Sequence, residues 1–434
     1  MISKKQLFVV TFALFSLFFG AGNLILPPQL GFKSGEFWWS VALGFCLSAV
    51  LIPILGILAH AKLQGTMFDF AKKVSPTFSL FYCYLVYAIS ISLPSPRTAS
   101  VTHEMGVAPL FGSSPLLTST VYFILVFIFV MNRSKILDII GKLMTPAIIL
   151  ILFCIIGITA FSMDFYFGGS EFPHPFSHGI LEGYQTFDAI GAVVVGGVII
   201  ISINLKNTTT DYATKRSLIA KAGWLAGLGL FLIYTGLILT GALMQGEFSP
   251  DIGRTAILSG ISLKTMGNTA NLFLGLLVSL ACFTTAVGIV TGTADFVKGR
   301  FNDSQKAYTI TAVLGCALGV LMGRFNVDYI IAVAIPALMF IYPITIVLIF
   351  LNVLPEKWVS KRVFQLTVAM TILFSIPDFL SSLGFAAHLQ SVKNWIPLSG
   401  FHMGWVLPAL ITLICANVIQ NPFFFSDSDK SDKQ

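Results

Sequence analysis

The sequence predicts an all-α membrane protein with twelve transmembrane helices, and three observations lead to this prediction. The chain has 434 residues, of which 56% are hydrophobic and only 10% are charged, whereas soluble domains carry about 25% charged residues. Apolar runs long enough to cross a bilayer, about 20 residues each, recur along the whole chain. Counting twelve such runs places 20 of the 26 Lys and Arg residues on one side of the membrane, which indicates the cytoplasmic side.

Each span is an apolar run bounded by polar or turn-forming residues. The approximate limits are 7–31, 38–60, 77–101, 115–131, 136–161, 181–204, 218–243, 267–296, 307–322, 327–351, 364–384 and 398–420. An even number of spans with this charge bias predicts that both termini are cytoplasmic. We therefore expect one transmembrane domain over residues 1–420, followed by a polar cytoplasmic tail at 421–434. The same bias explains the formal net charge of +7 without a nucleic-acid partner.

The first span contains a pattern that should interrupt a helix. Gly20, Gly22, Asn23, Pro27 and Pro28 lie within nine residues of one another. Irregular backbone is tolerated at membrane depth only where it lines a cavity or is buried by protein. Interrupted helices near the bilayer midplane are typical of the binding sites of transporters.

The sixth span contains a second cluster of glycines, Gly191, Gly196 and Gly197, and taken alone this cluster could serve helix packing only. Its position is more informative, because the span comes five spans after the first and crosses in the opposite direction. This arrangement predicts a 5+5 inverted repeat, 7–161 and 181–351, with broken helices 1 and 6 and two additional C-terminal helices over 364–420. A half-helix that begins at mid-membrane presents amides to an anion, and one that ends there presents carbonyls to a cation. A zwitterionic amino acid together with a cation would satisfy both ends.

The eighth span carries the adjacent hydroxyls of Thr284 and Thr285, one turn after Ala281. Such threonines commonly hydrogen-bond to their own helix backbone. They can also join the carbonyls of the first interruption as about five oxygen ligands for a small hard cation. No carboxylate is needed, which favours sodium over a purely proton-driven mechanism.

Several ionisable residues lie in or near the predicted spans, and two of them are candidates for function. Glu104 is expected at an ordinary solvated helix end, and Asp378, at the end of the eleventh span, is expected to be interfacial. Asp188 precedes the glycine cluster of the sixth span, and Arg97 lies near the outer end of the third. Asp188 could bind a substrate ammonium, carry a proton, or pair with Arg97 as an outer gate. We favour the gate or a structural pair, while snorkelling of Arg97 to the headgroups is an equal alternative for that residue.

Four segments together resemble the bacterial branched-chain amino acid:cation symporters, the BrnQ-like LIVCS family. They are Phe18–Pro28, Pro96–Gly106, Glu182–Asp188 and Leu280–Ala286. The resemblance extends from the first span to the last. It implies a sodium-coupled symporter for leucine, isoleucine and valine in the bacterial inner membrane, with a LeuT-like fold of the amino acid–polyamine–organocation superfamily.

The resemblance also implies roles for individual residues. Gly20, Ala21, Gly22 and Asn23 are similar to the segment of LeuT-like carriers whose amides hold the substrate carboxylate. Ser16 and Phe19 would offer carbonyls to sodium, and Ala281, Thr284 and Thr285 would complete that site. The register of the sixth span is ambiguous, and we expect Ala192, Val194 and Gly196 to face the substrate. Tyr87, in competition with Tyr84, would form an aromatic wall.

Other functions fit the sequence less well. An intramembrane enzyme needs convergent His, Cys or paired carboxylates at depth, and the deep spans hold no such pair. A channel or receptor would need a continuous polar lining, whereas polarity here is concentrated at two points. A symporter for another small neutral amino acid and coupling to protons remain alternatives, and the sequence leaves the oligomeric state open.

Overall fold

The computed structural model describes residues 4–132, 136–196 and 212–420. The predicted tail and the end of the predicted sixth span, including Gly197, lie outside these residues. The regular elements of the described part are helices, with short 3₁₀ and π segments between some of them. In chain order the α-helices are α1 (Lys4–Phe18), α2 (Ala21–Ser34), α3 (Trp38–Cys46), α4 (Ile52–Leu63), α5 (Met67–Ala71), α6 (Pro76–Ser92), α7 (Pro94–Thr102), α8 (Ala108–Phe111), α9 (Pro115–Asn132), α10 (Ile136–Ser162), α11 (Pro175–Tyr184), α12 (188–196), α13 (Tyr212–Leu243), α14 (Arg254–Arg300), α15 (Gln305–Gly323), α16 (Val327–Val353), α17 (Lys361–Leu380), α18 (Ala386–Trp395) and α19 (Val406–Gln420).

Most of the predicted spans coincide with helices of the structure. A π segment, Leu47–Leu51, joins α3 to α4 within the second span, and Leu93 separates α6 from α7 in the third. Helix α14 is divided at Gly267, whose φ of 81° is left-handed, so its second part begins where the eighth span was predicted to begin. Within the described residues nine helical stretches are long and apolar enough to cross a membrane. The count of twelve and the 5+5 repeat stay predictions.

The chain divides into two compact units, each assembled from three segments. The first contains the described residues within Met1–Leu51, Leu85–Asp188 and Lys221–Ile335, and the second those within Ile52–Tyr84, Ala189–Ala220 and Pro336–Gln434. Each unit therefore takes segments from both of the predicted repeats.

The first unit has a core formed by α7, α9, α14 and α15. Its members are small and aromatic side chains that are nearly all below a tenth exposed. The Tyr308 hydroxyl donates to the Val130 carbonyl at 2.9 Å, which satisfies the one polar group that Tyr308 carries into this core. Because α7 and α14 belong to the same core, the residues that they carry are held in a fixed relation to each other.

Glycines let other helices of the first unit approach closely. A Cβ at Gly31 or Gly241 would overlap the backbone of the facing helix, so α2 and α13 are in backbone contact there. Gly44 and Gly179 play the same part between α3 and α11. These contacts hold α2 against α13 and α11 against α3. Helices α2 and α11 border the two interruptions described below.

The second unit is held together by hydrogen bonds that tie α16 to α6 and to α5. The Tyr82 and Thr345 hydroxyls lie 2.8 Å apart, and the Asn352 amide donates to the Phe70 carbonyl at 2.9 Å. At the far end of α17, Asp378 accepts from Lys393 at 3.1 Å. This carboxylate was predicted to be merely interfacial, but it is 2% exposed and connects α17 to α18.

Candidate binding site at the interrupted helices

The first predicted interruption is present, and it is short. Helix α1 ends at Phe18, Gly20 is extended with φ −97° and ψ 174°, and α2 begins at the next residue. The prolines predicted to contribute, Pro27 and Pro28, instead lie inside α2. Glycine therefore ends the first helix, while the prolines only remove two backbone donors from the second.

The interruption leaves backbone groups without their helical partners. The Gly20 amide, which would bond to the Ser16 carbonyl in a continuous helix, bonds instead to the Phe18 carbonyl at 3.1 Å. Carbonyls at the end of α1 and amides at the start of α2 thus occupy one short stretch of chain. The stretch offers partial negative charge from one helix end and partial positive charge from the other.

Asn23, in the first turn of α2, connects this stretch to two other helices. Its amide nitrogen lies 2.5 Å from the Phe18 carbonyl, 2.5 Å from Asp188 Oδ2 and 2.6 Å from the Tyr234 hydroxyl. Asn23 is 2% exposed and Tyr234 is fully buried. Tyr234 was not predicted from the sequence, although a phenol in the middle of an apolar span usually has a polar partner.

Arg97 lies at the same place rather than at an exposed helix end. Its Nη1 donates to the Gln185 carbonyl at 2.7 Å, and its guanidinium lies over the Phe187 ring at 5.4 Å from the centroid. A Cβ at Gly22 would overlap the guanidinium, so only glycine permits this approach. Arg97 is 5% exposed, which excludes the snorkelling alternative.

The second interruption is present, but its predicted position is wrong. Helix α11 ends at Tyr184, residues 185–187 are not helical, and α12 begins at Asp188. The glycines predicted to break the helix, Gly191 and Gly196, lie within α12. The turn forms instead around Phe187, which has a φ of 62°.

Two of the three residues expected to face the substrate from the sixth span contact another helix. A Cβ at Gly56 would meet Ala192, and a Cβ at Gly196 would meet the ring of His60. His60 Nε2 also donates a hydrogen bond to the Val193 carbonyl at 2.9 Å. Ala192 and Gly196 thus lie on the face of α12 that packs against α4, and Val194 on a half-buried face.

The threonines of α14 that were predicted to bind an ion hydrogen-bond to the backbone of their own helix, which is the more common arrangement for adjacent threonines in a membrane helix. The Thr284 and Thr285 hydroxyls each donate to the Ala281 carbonyl at 2.9 Å. α14 packs against α2 and α10. The Ser16 hydroxyl lies 3.1 Å from that of Thr145 in α10, while Phe19, in the interruption itself, is 5% exposed.

The structure separates the predicted aromatic wall from these residues. Tyr87 stacks on Phe296 with ring centroids 4.5 Å apart. Phe296 lies 11 residues beyond Thr285 on the same helix, a rise of about 16 Å. Tyr84, the competing residue, is 42% exposed.

A second polar cluster, not predicted from the sequence, surrounds Arg254. Arg254 pairs with Glu182 at 3.1 Å and also with Asp328, beside a cavity of about 460 Å³. Glu104, expected at a wet helix end, accepts from Thr255 and from the Val327 amide. No periodic signal links these residues, because the chain brings them together from four separate segments.

Comparison with known proteins relates the chain to carriers from several bacteria. It is 34% identical over 422 residues to the branched-chain amino acid transport system 2 carrier protein of Pseudomonas aeruginosa, covering 95% of each chain. It is 32% identical to the branched-chain amino acid permease BraB of Bacillus subtilis, covering 96% of this chain and 95% of the permease.

Two solved structures establish the fold. The inward-facing form of Mhp1 has a TM-score of 0.62 at 14% identity and covers 96% of this chain and 91% of its own. MhsT in complex with L-phenylalanine has a TM-score of 0.55 at 16% identity, covering 95% and 98%. The chain therefore has a LeuT-like fold.

The family assignment rests on nearly the whole sequence. Residues 3–423 match the family described as branched-chain amino acid transport protein. The proteins of this family are membrane transporters and not enzymes. Together with the near-complete coverage of its relatives, this match shows that the chain belongs to the branched-chain amino acid transport protein family.

Proposed function

We propose that this protein is a sodium-coupled symporter that imports leucine, isoleucine and valine across the bacterial inner membrane by alternating access. The names of its relatives, carriers and permeases for branched-chain amino acids, support the substrate class. The observation that carries the proposal is the interruption between α1 and α2, where backbone carbonyls and amides lose their helical partners within three residues. We further infer twelve spans in a 5+5 inverted repeat, with both termini in the cytoplasm.

Sodium would bind between the end of α1 and the threonine pair of α14. The Ser16 carbonyl lacks its helical amide, because the Gly20 amide bonds elsewhere. Thr284 and Thr285 use their only hydroxyl hydrogens on the Ala281 carbonyl, so the lone pairs of both oxygens remain able to bind a cation. Phe19 would contribute a further carbonyl. A neutral oxygen cage of this kind suits a monovalent hard cation.

The amino acid would lie beside the same interruption. The first two amides of α2, those of Ala21 and Gly22, would bind its carboxylate. The side chain would contact apolar groups, for which one methylene changes the binding energy by only about 1–3 kcal/mol. We therefore expect weak discrimination among leucine, isoleucine and valine.

Proton coupling is the second candidate, and a specific observation favours testing it. Asp188 is 7% exposed and hydrogen-bonds to Asn23 at the interruption, so a proton carried by this carboxylate would reach the centre of the site. Transport of another small neutral amino acid is the remaining alternative for the substrate.

Uptake of labelled leucine by proteoliposomes tests the coupling ion. We expect an inward sodium gradient to drive accumulation, and unlabelled isoleucine and valine to compete within about tenfold of leucine. Equal accumulation with a proton gradient in sodium-free buffer would overturn sodium coupling. Competition only by other amino acids would overturn the substrate class.

A matched pair of variants tests the proposed ion site. Thr285→Ala should raise the sodium concentration for half-maximal uptake at least about tenfold, because one ligand of the ion is lost. Thr293→Ala is the control, since Thr293 makes the same kind of bond to its own helix, to the Ile289 carbonyl at 2.8 Å. An identical sodium dependence in both variants would contradict the site.

A further inference from the structure

Two opposite charges are buried together beside the interrupted helices. Arg97 and Asp188 are 5% and 7% exposed, and both lie at the start of α2, Arg97 against Gly22 and Asp188 hydrogen-bonded to Asn23. Ionisable residues inside a membrane are costly, and those that are kept usually serve function. Neither residue is needed for the sodium cage proposed above, so their presence at this depth requires a separate explanation.

The guanidinium of Arg97 connects the two interruptions. It lies against Gly22 in the first turn of α2, and it donates to the carbonyl of Gln185 in the second interruption. Guanidinium groups bind carboxylates through paired, charge-assisted hydrogen bonds. An anionic group placed beside the first amides of α2 would therefore also be within reach of Arg97.

Several oxygen acceptors surround Asp188. Three oxygens, those of Phe18, Asp188 and Tyr234, lie within 2.6 Å of the Asn23 amide nitrogen, and the Tyr234 hydroxyl also donates to the Phe18 carbonyl at 3.4 Å. The side-chain oxygen of Gln185, a residue 4% exposed, has no hydrogen-bond partner among the described atoms. A ligand with several N–H donors would satisfy this group of oxygens.

We propose that Arg97 and Asp188 bind the two charged ends of the transported amino acid, Arg97 its α-carboxylate and Asp188 its α-ammonium group. This inference rests on the proposed substrate class, and it assigns the recognition of the zwitterion to two side chains instead of to backbone groups alone. An ammonium group has three N–H donors, which suits the acceptor-rich surroundings of Asp188. The site carries one positive and one negative charge, so a zwitterion entering between them leaves the net charge unchanged.

This assignment differs from the outer gate predicted from the sequence. A gate requires only that the two charges meet and separate as the site closes and opens. Recognition of the zwitterion requires that each charge distinguish a ligand that has the complementary group from one that lacks it. A third role for Asp188, as a ligand of sodium, would affect the dependence on sodium and not the choice among ligands.

Ligands that lack one charged group separate these roles. The full-length protein in detergent is assayed for displacement of labelled leucine by leucine, by leucinamide, which lacks the carboxylate, and by 4-methylpentanoate, which lacks the ammonium group. The wild type should bind both analogues at least about tenfold more weakly than leucine, since each lacks one charge-assisted contact.

Each variant should lose discrimination against one analogue only. Arg97→Gln should bind leucine at least about tenfold more weakly but leucinamide nearly as the wild type does. Asp188→Asn should show the converse with 4-methylpentanoate. Arg97→Lys, which keeps the charge, should retain part of the preference for leucine over leucinamide. Arg254→Gln is the control, because it removes another arginine, which is half-buried and paired with two carboxylates, and it should leave both ratios unchanged.

The possible results distinguish this inference from the proposed function. A parallel loss of affinity for leucine and both analogues in the two variants would overturn the pairing, as would a change confined to the sodium dependence. If the wild type binds another amino acid better than leucine, the matching amide and deaminated analogues of that amino acid give the same test. Binding of leucine that is independent of sodium would overturn the coupling ion and leave the pairing intact. Thermal unfolding of each variant in detergent confirms that the compared proteins are folded.

Discussion

The two interruptions beside the candidate site end their helices for different physical reasons. At the first, Gly20 adopts an extended conformation, and its amide bonds back to Phe18. At the second, no residue is a glycine, and Phe187 adopts a left-handed φ of 62°. There the Thr186 hydroxyl donates to the Gly183 carbonyl at 2.8 Å and accepts from the Asp188 amide at 3.2 Å.

This difference teaches that a membrane helix can be interrupted either by backbone freedom or by a side chain that competes for backbone groups. The first cause is visible in composition, because glycine residues concentrate there. The second depends on one threonine and on a turn that tertiary contacts hold in place. Variants at the two interruptions should therefore respond differently, and the largest difference should be in ligand binding.

Gly22→Leu should have the largest effect of the variants at the first interruption. Any side chain at this position would overlap the Arg97 guanidinium, and a leucine would displace it from the start of α2. We expect leucine binding to fall at least about 100-fold while the protein still inserts and folds, as measured by displacement of labelled leucine and by elution as a single species.

Gly20→Ala is the matched control for this variant. A Cβ at Gly20 would have no atom within 4 Å, and a φ of −97° suits any residue. We expect binding within about threefold of the wild type. Equal losses in the two variants would show that backbone freedom, and not the approach of Arg97, is what the glycines supply.

Substitutions of Phe187 should show the backbone strain of the second interruption. Phe187 is 7% exposed, so its replacement by alanine should lower the free energy of unfolding by about 3 kcal/mol through lost packing. Replacement by glycine removes the same ring but also relieves the left-handed conformation, which costs a non-glycine residue about 1–2 kcal/mol.

The glycine variant should therefore be the more stable of the two, which reverses the usual order of alanine and glycine. Unfolding by SDS in mixed micelles measures this difference. An alanine variant at least as stable as the glycine variant would indicate that the turn at Phe187 relaxes without cost.

Thr186→Ala tests the hydrogen bonds that form the second turn. The hydroxyl satisfies both the end of α11 and the start of α12, so its loss should lower the free energy of unfolding by about 1–2 kcal/mol. Thr186→Ser keeps the hydroxyl and should remain within about 0.5 kcal/mol of the wild type. Equal destabilisation by both substitutions would assign the effect to the lost methyl group.

Much of the fold was accessible from the sequence because long apolar runs admit few alternatives in a bilayer. Helices α9, α10 and α16 begin within a residue or so of their predicted spans. The first interruption was predicted from Gly20 and Gly22, although Pro27 and Pro28 proved compatible with α2. A proline in the middle of a helix removes a donor but need not end the helix when neighbours support it.

The candidate site was less accessible, because its members meet only through tertiary contacts. Asp188 was identified as a buried charge, but its partner Asn23 comes from a segment 165 residues away, and Tyr234 was not identified. Arg97 was assigned to an outer helix end, since sequence position alone does not show that Gly22 makes room for it. Two of the three residues expected to face the substrate from the sixth span in fact pack against α4.

The smallest effect should come from Gly191→Ala, and it tests the misplaced interruption most directly. In the structure Gly191 lies inside α12, and a Cβ there would have no atom within 4 Å. Alanine in the interior of a helix is more favourable than glycine by about 0.5–1 kcal/mol, so the variant should be more stable by that amount in SDS unfolding. Gly196→Ala provides the contrast, because its Cβ would meet the His60 ring at 2.6 Å and should destabilise the protein. If Gly191→Ala is instead destabilising while Gly196→Ala is neutral, the chain is unwound at the glycines, as the composition alone suggested, and the turn at Phe187 is not the point at which this helix is interrupted.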